Sequence, residues 1–98
     1  PTLRVLDVSG NSLINLASAL GHMHELVELR IDSNKIRHLS NVIEGLWNLQ
    51  VLDARNNAIP TLPVEIGKCS ALEQLYLDNN EIQTIPQLVT FSRIFQNL

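Results

Sequence analysis

The repeated pattern of this chain is clearest in Leu72-Glu-Gln-Leu75-Tyr-Leu77-Asp-Asn-Asn80-Glu-Ile82-Gln-Thr-Ile85-Pro86. Leucines and isoleucines stand at fixed offsets in it, and an asparagine stands where the pattern bends. The same arrangement occurs three more times upstream, so that the copies begin at positions 3, 26, 49 and 72, each 23 residues after the last. Phe95-Gln-Asn-Leu98 matches the start of a fifth copy. Such a period predicts a stack of similar coils, in which each coil contacts only its neighbours.

The spacing L-x-x-L-x-L-x-x-N-x-L resembles that of the leucine-rich repeat family, and the resemblance covers nearly the whole chain. It implies an α/β fold in the loose sense, namely a curved right-handed solenoid. Short parallel strands would line its concave face, and helical or irregular segments its convex face. The resemblance also implies that the concave face binds other macromolecules. The Leu-Pro-x-x-Ile-Gly-x-Cys pattern of residues 62–69 is similar to that of intracellular members, such as scaffolds of Ras signalling and of epithelial polarity.

Each copy predicts one short strand, at residues 5–9, 28–32, 51–55 and 74–78. Side chains alternate across a strand, so the aliphatic residues are expected inside the stack and the others on the concave face. The segments between the strands have apolar spacings of three and four residues, which predict short helical turns, most clearly at residues 17–20 and 41–44. We expect residues 1–98 to form one leucine-rich repeat domain with four full repeats, as a fragment of a longer array.

An asparagine follows each predicted strand, at Asn11, Asn34, Asn57 and Asn80. A sharp turn there leaves backbone N–H and C=O groups inside the stack that need hydrogen-bond partners. An asparagine side chain carries donors and an acceptor on a short arm. The four positions match, residue by residue, the asparagine ladder that the resemblance implies. We therefore expect these side chains to support the turns rather than to contact a ligand.

The outward side chains of the predicted strands form three columns across the concave face. The first contains Val5, Glu28, Val51 and Gln74, the middle Asp7, Arg30, Asp53 and Tyr76, and the last Ser9, Asp32, Arg55 and Asp78. Neighbouring strands lie about 4.8 Å apart, so adjacent members of a column can pair. Two lateral charge ladders are therefore predicted, Asp7–Arg30–Asp53 and Asp32–Arg55–Asp78. They either neutralise only each other or also offer charge to a partner.

Tyr76 is the aromatic residue of these columns, and interface energy tends to concentrate in Tyr, Trp and Arg. We predict that a protein partner binds the concave face. The predicted partner-binding residues are Tyr76, Arg30, Arg55, Asp32, Asp53, Asp78 and Trp47. Acids outnumber arginines five to two in the columns, which favours a partner with a basic surface. Trp47, just before the third strand, either anchors the partner as well or covers the adjacent repeat.

No pattern of catalytic residues is recognisable in the sequence. It contains no phosphate-cradling glycine loop, nucleophile elbow or His-Glu-x-x-His motif, so neither an enzyme nor a cofactor is predicted. His22 and His24 lack a cysteine or carboxylate partner at ligand spacing, so no metal site is predicted. Cys69 occupies the slot of Met23 and Leu46 in earlier copies, which predicts a small buried hydrophobe.

Charge and hydropathy limit the kinds of partner. A net charge of −3 and a pI of about 5.5 do not predict nucleic-acid binding. No apolar run approaches the roughly 18 residues that a membrane span needs. A single cysteine and the lack of Asn-x-Ser/Thr sequons favour a cytoplasmic location. Because both ends cut through the repeat, we also expect the fragment to associate end to end with copies of itself.

The function that these patterns favour is a protein-interaction module within a larger scaffold or regulatory protein. One alternative is the ligand-sensing ectodomain of a receptor or pathogen-associated protein. Another is the targeting segment of a multidomain enzyme. The three differ in the sequences that would flank the repeats, such as a signal peptide with cysteine caps or a catalytic domain.

Overall fold

The computed structural model describes residues 2–83, with the side chains of all but Ser40 and Asn41. Four parallel strands form one sheet in the order β1-β2-β3-β4. They are β1 (Val5–Asp7), β2 (Glu28–Arg30), β3 (Val51–Asp53) and β4 (Gln74–Tyr76). Each of the first three strands is followed by a return segment along the convex side, so the chain forms a solenoid, and the predicted fold class is confirmed. The predicted fifth copy at residues 95–98 lies outside the described residues.

The strands are two residues shorter than predicted, because each one runs into a turn with a positive φ. The turn residues are Gly10 (70°), Ser33 (58°), Asn56 (58°) and Asn79 (59°). Glycine and asparagine adopt this conformation more readily than other residues do. Backbone hydrogen bonds between coils nevertheless continue past the strands. For example, the Val8 N–H donates to the Arg30 oxygen at 2.9 Å, and the Gly10 N–H to the Asp32 oxygen at 3.0 Å.

In the described part of the chain, the convex side carries three short helices. They are a 3-10 helix at Ser18–His22, an α-helix at Ser40–Ile43 and a 3-10 helix at Val64–Lys68. The first two overlap the helical turns predicted at residues 17–20 and 41–44. Coils approach so closely here that a Cβ atom on Gly45 would lie 1.7 Å from the Gly21 oxygen. Only glycine at position 45 allows this packing.

Most of the aliphatic residues of the repeat fill one continuous core, whereas Leu3 and Leu13 of the first copy are exposed. The inward residues of the central coils, Leu29, Ile31, Leu52 and Ala54, are fully buried. Leu6 is half-buried and packs against this core from β1, which pairs only with β2 among the described strands. In residues 2–83, none of the helices has the length and apolar character needed to cross a membrane.

Candidate binding surface on the concave face

The parallel register sets the concave columns side by side. Each strand residue lies opposite the equivalent residue of the next coil, so that Val5 pairs with Glu28 and Asp7 with Arg30. Asp53 in turn lies between Arg30 and Tyr76. The middle column is therefore a continuous line of neighbouring side chains, with Asp53 near the middle of the sheet.

Asp53 is the centre of a network of charged side chains and is itself 1% exposed. Its Oδ2 accepts hydrogen bonds from Arg55 Nη2 at 2.6 Å and from Arg30 Nη1 at 3.4 Å. Its Oδ1 accepts from Arg55 Nε at 3.0 Å and from the Arg55 backbone N–H at 3.2 Å. Arg30 Nε also donates to Glu28 Oε2 at 2.6 Å. We call Glu28, Arg30, Asp53 and Arg55 the charge network.

The pairing of Asp53 outweighs the cost of its burial. Burial alone raises the pKa of the Asp53 carboxyl, because the charged form loses water. The hydrogen bonds from the side chain and backbone of Arg55, with the charges of Arg55 and Arg30, lower the pKa by more, and it lies below its ordinary value. The carboxylate is therefore ionised, paired and covered. This corrects the prediction that Asp53 itself contacts a partner, since the two guanidinium groups cover it.

Tyr76 lies at the end of the charge network. The Arg55 Cζ atom is 5.1 Å from the centroid of the Tyr76 ring, within the distance of a cation–π interaction. The Tyr76 hydroxyl donates to Gln74 Oε1 at 2.9 Å. The Tyr76 residue is 37% exposed and the Arg55 side chain 42% exposed. An aromatic ring and a guanidinium group are thus held together at the surface.

The predicted ladder Asp32–Arg55–Asp78 is wrong. Arg55 turns back to Asp53, two residues before it, and donates to both oxygens of that carboxylate, which is 1% exposed. Within residues 2–83, neither Asp32 nor Asp78 forms an ion pair, although their charges help to raise the pKa of Arg55 after the larger effect of Asp53.

The ladder Asp7–Arg30–Asp53 forms only in part. Arg30 reaches Asp53, but the Asp7 Oδ1 accepts the backbone N–H of Ser9 at 2.9 Å and its hydroxyl at 2.6 Å. Both hydrogen bonds lower the pKa of Asp7, and the one from the Ser9 hydroxyl has the larger effect. Sequence reasoning did not assign Glu28 and Gln74 to the site. Glu28 and Gln74 stand two residues before Arg30 and Tyr76, on the same face of each strand. This spacing could have indicated that they contact those two residues.

Trp47 packs on the adjacent coil. Its indole ring is stacked on the His24 ring, with centroids 4.0 Å apart and an angle of 10° between the planes. His24 Nδ1 lies 2.8 Å from the Gly45 oxygen, which holds the imidazole in place. Trp47 remains 47% exposed. Among residues 2–83, no hydrogen bond, ion pair or ring contact joins Trp47 to the charge network.

The asparagines after the strands join one coil to the next. Asn34 Oδ1 accepts the Leu13 N–H at 3.1 Å, and its Nδ2 donates to the oxygens of Val8 (3.1 Å) and Ile31 (2.9 Å). Asn57 and Asn80 repeat this arrangement one and two coils later. Asn11 is exposed and donates only to oxygens of its own coil. These amides fix the turns that begin on the concave face.

Other reactive groups in the described part of the chain are isolated. No group of three or more His, Cys, Asp or Glu side chains in residues 2–83 could hold a metal ion. Cys69 is a buried free thiol whose Sγ lies 3.5 Å from the Ile43 oxygen. Burial raises the pKa of Cys69 to about 11, so the thiol is neutral and unreactive at physiological pH.

Two family models match the chain. The model described as "Leucine rich repeat" matches residues 1–59, and "Leucine Rich repeats (2 copies)" matches residues 47–90. The chain belongs to the leucine-rich repeat family. The resemblance that the sequence showed is therefore confirmed. Leucine-rich repeat proteins generally mediate protein–protein interactions, and the fold is typically a non-enzymatic binding module.

Solved leucine-rich repeat structures are similar as well. One from Leptospira interrogans has a TM-score of 0.82 at 34% sequence identity, covering 86% of this chain. This chain spans 21% of that protein's length. An internalin of Listeria monocytogenes has a TM-score of 0.46 at 18% identity, covering 82% of this chain and 36% of its own. No curated protein matches the chain.

Proposed function

We propose that this chain is a protein-interaction module of a scaffold or regulatory protein, and that a protein partner binds its concave face. The observation that carries the proposal is the Arg55–Tyr76 pair, which is exposed yet held in place by the buried Asp53. The general role of leucine-rich repeat proteins in protein–protein interaction supports it.

The chemistry of the pair suits an interface. Tyr and Arg are enriched among the residues that dominate binding energy. Side chains that are already ordered before binding lose less conformational entropy when a partner arrives. Arg55 and Tyr76 are ordered by hydrogen bonds to Asp53 and Gln74, and both keep an exposed face. They are therefore the expected anchors.

The charges around the pair favour a partner with a basic surface. The charge network is balanced, since Glu28 and Asp53 offset Arg30 and Arg55. The remaining acids of the concave columns are Asp7, Asp32 and Asp78. Complementary charge mainly sets the association rate and the orientation of binding. We also propose a cytoplasmic location, which the single buried free thiol of Cys69 supports.

An affinity capture with the protein as bait tests the proposal. Tyr76→Ala should weaken binding of the captured partner by more than about 1 kcal/mol, or roughly fivefold. Arg55→Lys keeps a positive charge near Asp53 but loses the forked guanidinium, and it should weaken binding too. Val64→Ala is the matched control, because Val64 is exposed on a convex helix. Equal binding by the wild-type chain and both concave variants would exclude the concave face.

A further inference from the structure

Asp53 is the most deeply buried charged side chain of the concave face, and a partner cannot contact it directly. Asp53 is 1% exposed, whereas the side chains of its two ion-pair partners, Arg30 and Arg55, are 39% and 42% exposed. Within residues 2–83, its carboxylate makes its hydrogen bonds with these two residues. A role for Asp53 in binding can therefore act only through the arginines.

We infer that Asp53 is a positioning residue, which holds the Arg55 guanidinium over the Tyr76 ring and draws Arg30 toward the same point. The importance of this arrangement for binding rests on the proposed function. The arrangement itself is a property of the free protein. Specificity of the surface would then depend on a side chain that never touches the partner.

The geometry at Asp53 explains why a carboxylate is needed. Arg55 donates to both oxygens through Nε and Nη2, which is the two-point pairing that a planar guanidinium makes with a carboxylate. This pairing fixes the plane of the guanidinium as well as its position. The fixed group lies 5.1 Å from the Tyr76 ring centroid, and the Tyr76 hydroxyl is held separately by Gln74.

Asp53→Asn distinguishes the positioning of Arg55 from the folding of the chain. In Asp53→Asn, the amide oxygen can still accept the Arg55 backbone N–H, which Oδ1 accepts at 3.2 Å in the wild type. The amide nitrogen cannot accept a hydrogen bond, so the two-point pairing is lost. Arg30 and Arg55 are each exposed enough to be hydrated instead. The variant should therefore fold while Arg55 becomes free to move.

Nuclear magnetic resonance of the free protein tests the inference. In the wild type we expect a protected Arg55 Nε–H signal and nuclear Overhauser contacts between Arg55 and Tyr76, the single tyrosine of the chain. Asp53→Asn should remove both while the backbone amide spectrum of the other coils is unchanged. Asp32→Asn is the matched control, because Asp32 forms no ion pair within residues 2–83, and it should leave both signals intact.

Persistence of the Arg55–Tyr76 contacts in Asp53→Asn would overturn the inference. If Asp53→Asn does not fold, the spectrum of the wild-type protein still tests the inference. An Arg55 Nε–H signal without protection in the wild type would also overturn it. Binding of the partner captured by wild-type bait is a separate measurement, in which Asp53→Asn should lose about tenfold in affinity. Lost contacts with unchanged affinity would refute the proposed concave interface and leave the positioning role supported.

Discussion

Replacing Asn57 by alanine removes the hydrogen bonds that tie three turns together. Asn57 Oδ1 accepts the Ile36 N–H at 3.0 Å, and its Nδ2 donates to the Ile31 oxygen at 3.0 Å. Both isoleucines are fully buried, so water cannot replace these bonds, but the Ile31 oxygen keeps a hydrogen bond from Asn34 Nδ2 at 2.9 Å. The other two acceptors keep a second partner, since Ala54 accepts from Asn80 at 2.8 Å and Arg55 from a backbone N–H.

One buried group, the Ile36 N–H, therefore loses its partner in Asn57→Ala. At about 1–3 kcal/mol for an unsatisfied buried group, the free energy of unfolding should fall by about 1–3 kcal/mol. Urea unfolding followed by circular dichroism measures this loss as a lower midpoint. Asn80→Ala is less suitable for the comparison, because residues 84–98 lie outside the described structure.

Asn11→Ala provides the matched control. Asn11 is exposed, and its Nδ2 donates to the oxygens of Val8 at 2.8 Å and Ser9 at 3.3 Å. The Val8 oxygen keeps its bond from Asn34 Nδ2 at 3.1 Å. The free energy of unfolding of Asn11→Ala should therefore fall by less than about 1 kcal/mol. Equal losses for Asn57→Ala and Asn11→Ala would refute the reasoning that the inner amides satisfy buried backbone groups.

Three further predictions concern stability and reactivity. Gly45→Ala should lower the melting temperature and reduce the free energy of unfolding by about 1–3 kcal/mol or more, because the new Cβ would lie 1.7 Å from the Gly21 oxygen. An unchanged melting temperature would contradict this packing. Ser33→Gly should raise stability by about 0.5–1 kcal/mol, because Ser33 has a φ of 58°, and a lower urea midpoint would contradict it. Cys69 should resist iodoacetamide at neutral pH until the protein unfolds. Because its folded pKa is raised from 9.0 to about 11, wild-type stability should fall relative to Cys69→Ala as pH rises through that window, whereas parallel pH profiles would contradict the burial of the thiol.

The sequence predicted the fold because one pattern specifies both the interior and the register. The aliphatic offsets mark the residues that each coil buries, and the constant period aligns Leu29 with Leu52 in neighbouring strands. The sequence did not predict where the strands end. The alternation of apolar residues continues to Ile31 and Ala54, while the change to a positive φ at Ser33 and Asn56 leaves no mark in that alternation.

The side-chain pairing on the concave face could be predicted only in part. Arg55 can reach a carboxylate on a neighbouring strand, about 4.8 Å away, or one two residues away along its own strand, about 6.6 Å away. A long arginine side chain spans both distances. Arg55 pairs with Asp53, which is 1% exposed, and neither the period nor the alternation of the sequence distinguishes this pairing from the lateral one. Likewise, the period places Trp47 one coil after His24, but the parallel stacking of their rings is visible only in three dimensions.

The burial of Asp53 also changes which groups the middle of the concave face presents, although the charges there stay balanced. Counting residues gives an acidic surface, yet an approaching molecule would meet two guanidinium groups and a phenol there, because the central carboxylate is hidden beneath them. The uncovered acids Asp7, Asp32 and Asp78 occupy positions around this centre. A partner that complements the face would therefore carry its cations at the periphery, and an acceptor such as a backbone carbonyl or a carboxylate at its centre.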